Sequence, residues 1–239
     1  MRQQQLKFGL EGKSQLHLGA MVREAWLRSR QPSPWFALLT LLWLMIIYGC
    51  VDQLPALLVV RGMTDNQAQA LAALLATIIS APVSATLDVM GLKIALGQRI
   101  DGGELRQCVV RSGRIIALAL LFTLLVDLGL QLLLPGIFLL ICASISNLVL
   151  IYFSANPFNA LLWTIRAAFF RFGAVALVLL LGALAMALGI LSFGLLLIWL
   201  APFAMILRGI LFRELFGVVA EKQQQPTVER AAGDSHFDA

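Results

Sequence analysis

Histidine is almost absent: the 239 residues hold two, His17 and His236, and neither lies in an apolar run. That removes the usual base of a Ser/His/Asp triad and the paired imidazoles of an HExxH zinc site. The three cysteines, Cys50, Cys108 and Cys142, stand far apart with no CxxC spacing, so they read as structural thiols. No Gly-rich phosphate loop occurs at a strand-to-helix junction. The chain is therefore expected not to be an enzyme and to need neither metal nor cofactor. Charge is scarce as well: 13% of residues are Asp, Glu, Lys or Arg against 60% hydrophobic, too little polar material to cover a soluble core.

What is abundant is uncharged apolar run, repeatedly longer than the ~18 residues a helix needs to cross a bilayer. Six spans are expected, at about 35–57, 70–90, 115–134, 136–153, 172–189 and 193–211. The second and third pairs are split only by Pro135-Gly136 and by "LGILSFG", which read as tight hairpins. The first pair carries the sizeable outer loop, 59–69, with Arg61 and Asp65. The polar, basic stretch 1–34 contains no short apolar region with a cleavage site, so no removable signal peptide is expected. Counted along the chain, 17 of the 18 Lys and Arg residues fall on one side of this arrangement, with Arg61 alone opposite. The positive-inside rule then places both termini in the cytoplasm. Because the bases are scattered in short clusters, the formal charge of +5 does not point to nucleic acid.

A cytoplasmic helix lying on the membrane surface is expected before each hairpin. In the first, Leu18, Met21, Val22, Ala25 and Trp26 recur at helical spacing, and Glu24 and Arg28 form a favourable i,i+4 pair. The second opens on Asp101-Gly-Gly-Glu104, which has capping-box spacing. The third has Asn156 as N-cap and Pro157 at the first helical position. The fold class is thus all-α, a polytopic helical membrane protein of three hairpins, each preceded by an amphipathic surface helix. Residues 1–34 form the N-terminal cytoplasmic segment, 35–212 the membrane domain and 213–239 a cytoplasmic tail. From about 221 the tail is Gln-rich, too polar to pack and expected to be disordered.

There is a weak internal echo. "APVSATLDVMGLKIALG" and "APFAMILRGILFRELFG" share Ala81/Ala201, Pro82/Pro202, Leu87/Leu207 and Gly97/Gly217, with Lys93 opposite Arg213. The second and sixth spans are therefore expected to leave the membrane alike, with a proline-kinked helix and a snorkelling base. The stretches "EAWLRSRQPSPWFALL", "SAPVSATLDVMGLKIALGQRIDGGELRQ", "NALLWTIRAAFFRFGAVALVLLLGALAMA" and "FRELFG" resemble the YciC-like and related glycine/proline-rich families of bacterial inner-membrane proteins. The resemblance implies six helices in a bacterial cytoplasmic membrane. It supplies no activity and no catalytic residues.

Two polar sets stand out. Asp127 lies roughly 18 Å along span three at 1.5 Å per residue. Gln131 is one turn away, and folding the hairpin sets Ser144 near the same depth with Asn147 a turn deeper. An intramembrane acid reads first as an interhelical hydrogen-bonder, then as a contact for a partner or second copy, then as an ion or substrate site. Thr77, Ser80, Ser84 and Asp88 form a stripe along span two, either a helix-packing face or a cavity lining, and Asp88 is placed to meet Lys93 or an arginine of the surface helices. Gly182, Ala185 and Gly189 of span five read as packing. Arg23, Arg28, Arg30, Arg106, Arg111, Arg114, Arg166 and Arg171 are set at headgroup level, so anionic lipid is an expected partner, beside a membrane-protein partner or a second copy. These features favour a structural, accessory or assembly role through lateral contacts. The alternative is a small transporter or permease subunit working with a separate ATPase or as an oligomer.

Overall fold

The computed structural model describes residues 2–10, 17–30, 34–100, 103–131, 134–192 and 196–218. Most of these are helical, joined by short turns, with no strand among the described residues. The order is α1 (Arg2–Leu10), α2 (Leu18–Ser29), α3 (Pro34–Tyr48), a π-helical turn (Gly49–Gln53), α4 (Leu54–Val60), α5 (Asp65–Ala95), α6 (Gly103–Val110), α7 (Ser112–Leu130), α8 (Leu134–Tyr152), α9 (Pro157–Phe170), α10 (Phe172–Leu191) and α11 (Leu197–Phe216). Among the described residues, five helices are long and apolar enough to cross a membrane: Pro34–Val60, Asp65–Ala95, Ser112–Leu130, Pro135–Tyr152 and Phe172–Gly189. The chain is therefore a multi-pass membrane protein by length and composition. The described part of α11 is as long as α10, but Arg208, Arg213 and Glu214 lie in its C-terminal half.

Local chemistry explains the boundaries. Pro55 has no N–H for the carbonyl of Val51, and the chain widens there into the π turn, where Leu54 N–H reaches back to Gly49 O. The loop after α4 is shorter than expected, Arg61 to Thr64 only. Gly62 closes α4 in a left-handed conformation (φ 94°), and Thr64 and Gln67 make a reciprocal capping box that starts α5 early. Pro135 and Gly136 do not form the turn between α7 and α8 but lie in the first turn of α8, where proline is well tolerated. The tight fit is instead made by Gly129 and Gly136: a Cβ added at Gly129 would lie 2.9 Å from Gly136 Cα.

Helix α5 is the central post, packed against α3, α4, α7, α8 and α11. Its buried positions include Ala68, Ala72, Ala76, Ala81, Ala85 and Gly91, small residues that let neighbouring backbones approach. The closest approach is to α11. A Cβ on Gly91 would sit 2.5 Å from the carbonyl oxygen of Met205, and one on Gly209 would sit 2.6 Å from the Gly91 carbonyl carbon. Gly182, Ala185 and Gly189 are buried on α10, with Gly182 toward Ala204 and Gly189 against Leu197 of α11.

Helices α5, α8 and α11 end alike. Gly97 (φ 71°), Ser154 (φ 52°) and Gly217 (φ 60°) are left-handed. The following N–H groups, of Gln98, Ala155 and Val218, return to the carbonyls of Lys93, Leu150 and Arg213 at 2.9, 3.1 and 2.9 Å. Each is a Schellman stop. The internal echo thus has a structural counterpart at α5 and α11, both of which also carry an internal proline, Pro82 and Pro202.

Candidate functional site

Three charged side chains at one end of the bundle form a clamp. Arg213 of α11 donates from Nη1 and Nη2 to the two carboxylate oxygens of Glu24 on α2, both at 2.8 Å, and Nη1 also donates to the Ala95 carbonyl at 2.7 Å. Glu24 additionally ion-pairs with Arg28 at 2.8 Å, the expected i,i+4 contact, and Arg28 Nη1 donates to the Ile94 carbonyl. Three helices are thereby tied together where α5 stops and its last carbonyls lack helical partners. The Arg213 guanidinium holds the Glu24 carboxyl below its ordinary range, and Glu24 in turn keeps Arg213 more firmly protonated. Lys93 makes the corresponding contact on the other side of α5, 2.5 Å to the buried Glu104 of α6. Glu104 is thus engaged by α5, while its expected capping partner Asp101 lies outside the described residues.

One turn or two deeper, Asp88 is 2% exposed and meets neither Lys93 nor a surface-helix arginine. Asn147 of α8 donates to its Oδ2 at 3.2 Å, and Arg208 Nη1 of α11 lies 3.6 Å from its Oδ1, an ion-pair distance without a hydrogen bond. Lys93 is occupied by Glu104, and the Gly91–Gly209 crossing is what brings Arg208 close enough. Along the same helix, Thr77 donates to Ala73 O and Ser84 to Ala81 O, and Ser80 is half-buried. Those two hydroxyls are satisfied by their own helix, which suits a packing face.

The other proposed set is not brought together. Asn147 is held by Asp88, and Ser144 gives its proton to Ile141 O at 2.7 Å. Asp127 is exposed on the outer side of α7, as is Gln131 at its end. The cause is rotation. Gly129 faces α8, and Asp127, two residues earlier, lies about 200° around a helix of 3.6 residues per turn. Equal depth across the hairpin therefore does not become contact.

The arginines divide. Arg23, Arg30, Arg106, Arg114 and Arg166 are exposed, Arg30 lying 5.9 Å over the Trp26 ring. Arg28 and Arg111 are half-buried and spent on helix ends, Arg111 donating to Ile151 O at 3.1 Å and to Ser154 Oγ at 3.3 Å. Arg171 is half-buried.

Sequence reasoning missed the Glu24–Arg213 pair, the role of Arg208 and the Gly91–Gly209 crossing. A signal was present for Arg208, since the internal echo sets Asp88 opposite Arg208, an acid against a base at equivalent positions. Comparison with protein-family models, curated proteins and solved structures finds no match to the chain.

Proposed function

We propose that this chain is a six-helix protein of a bacterial cytoplasmic membrane, with both termini inside, that has no catalytic activity and serves a structural, accessory or assembly role through lateral contacts. The observation that carries this reading is Asp127. It is a carboxyl on an outward helix face in the last turn of α7, about 20 Å from Arg114, and no hydrogen bond or ion pair is made to it among the described residues. A carboxyl on the outward face of a spanning helix is found covered by protein or by water. The interior acids, in contrast, are spent inside the chain, Asp88 on Asn147 and Arg208, Glu24 on Arg213. Six spans in three hairpins are supported by α11, whose 20 residues at 1.5 Å each reach about 30 Å while its charged end is held by α2. The amphipathic surface helices α2, α6 and α9 carry the exposed Arg23, Arg106 and Arg166, and each would attract anionic headgroups by about 1 kcal/mol. The YciC-like resemblance agrees with this placement.

The test is copurification of the tagged chain from its native membrane in mild detergent, with intact mass measurement of everything that accompanies it. Stoichiometric protein together with retained anionic lipid is expected. Recovery of bare monomer refutes the reading.

A second reading, a small transporter or permease subunit, is favoured by the buried Asp88–Arg208–Asn147 cluster where three helices cross. It requires that Asp88→Asn accumulate normally yet abolish a proton- or cation-dependent flux. Unchanged flux in proteoliposomes removes it.

A further inference from the structure

The outer side of α7 carries a periodicity that its inner side does not use. Gly113, Ala117, Leu120, Leu124, Asp127 and Gln131 follow one another at intervals of four, three, four, three and four residues, the spacing of a two-helix seam. Five of these six residues are exposed, Leu124 to 59%, and Leu120 is half-buried. A Cβ added at Gly113 would meet nothing within 4 Å, so this edge is open to the approach of another backbone.

We propose that two copies of this chain pair in parallel through α7, about a twofold axis along the membrane normal. This names the occupant of the lateral contact proposed above and rests on that reading. Copies inserted the same way meet at equal depth, so each seam residue faces its own counterpart. Gly113 and Ala117 let the backbones close at one end, Leu120 and Leu124 form the apolar middle, and Asp127 and Gln131 form the polar end. Self-pairing suits these last two. A primary amide carries both donors and an acceptor, so each Gln131 satisfies its own counterpart and has a further N–H to offer an Asp127 carboxyl one turn away. A foreign helix would have to supply matched polar groups at two depths one turn apart and small residues at a third. A polar residue within such a seam also fixes register.

Disulfide trapping in native membranes tests this. In a Cys50→Ser background, with buried Cys108 and Cys142 left in place, cysteines are introduced singly at Ala117, at Leu124 and, as a control, at Leu184 on the exposed side of α10. Mild oxidation is expected to give a dimer of twice the chain mass at Ala117 and Leu124 but not at Leu184, because a disulfide needs facing Cβ atoms about 4 Å apart. Adding Asp127→Leu to the Leu124→Cys variant is expected to weaken dimerisation about threefold to thirtyfold, the range for one or two interhelical hydrogen bonds in membranes, and Asp127→Asn to restore it. A seam adduct with a different protein overturns the second copy while leaving the lateral-contact reading intact. Monomer at both seam sites, with no protein adduct, overturns both.

Discussion

Removing the Arg213 guanidinium should loosen the whole charged end of the bundle. Arg213→Met keeps the apolar stem and deletes two 2.8 Å bonds to Glu24, one 2.7 Å bond to Ala95 O and the 2.7 Å contact with Glu214. Hydrogen bonds to charged groups contribute about 1.5–3 kcal/mol net when shielded from water. The two side chains are 20% and 29% exposed, so shielding is substantial but incomplete. Glu24 would retain Arg28, which spares it the full cost of an orphaned buried charge. The expected loss is therefore about 2–4 kcal/mol for Arg213→Met and about 1–2 kcal/mol for Glu24→Gln. The two changes share one interaction, so the double variant should be less destabilised than their sum by about 1–2 kcal/mol. Unfolding in mixed micelles of mild and denaturing detergent, followed by far-UV circular dichroism, gives all four corners of the cycle. A coupling below about 0.5 kcal/mol would refute the clamp as an energetic element.

Acid should open the same clamp. The folded-state pKa of Glu24 lies below its ordinary 4.5, so the stabilisation is complete above that value and is lost as pH falls through the depressed one. Unfolding titrations from neutral pH to about pH 3 should show a decline that is smaller in Glu24→Gln. Gly209→Ala puts a methyl within 2.6 Å of α5 backbone atoms and should cost about 1–3 kcal/mol by the same unfolding assay, whereas Gly113→Ala, with open space around it, should cost less than 1. Burial pushes the Cys108 thiol up, so a maleimide should label half-exposed Cys50 well before Cys108, whose labelling should await unfolding. Asp88→Asn leaves Arg208 without its counter-charge and should destabilise by roughly 1–3 kcal/mol, with part of that recovered by adding Arg208→Met.

The membrane class is legible in the amino-acid sequence because apolar run length is a one-dimensional property. Five of the six expected spans coincide to within a few residues with described helices long and apolar enough to cross, the first continuing through the π turn into α4. Glu24–Arg28 is legible for the same reason, since i,i+4 geometry needs only the helix itself. Rotation and crossing are not. Depth arithmetic sets Asp127 beside Ser144, but the rotation of α7 is decided by Gly129 seating on Gly136, a contact between helices. Asp88 finds Arg208 because two glycines allow α5 and α11 to touch. The pair lies 120 positions apart, where only the internal echo joins the two residues.

Oxygen accessibility of a spin label on the outer side of α7 would decide whether protein or lipid lies there. Leu128→Cys carries the label one residue from Asp127, and Leu184→Cys on α10 gives the reference; both leucines are 54% exposed in the single chain. In native membranes, with Cys50 replaced by Ser, oxygen collisions at 128 should fall well below those at 184 because protein covers the Asp127 face. Equal accessibility at the two positions would mean that this face lies open to lipid and would contradict a lateral protein contact at Asp127.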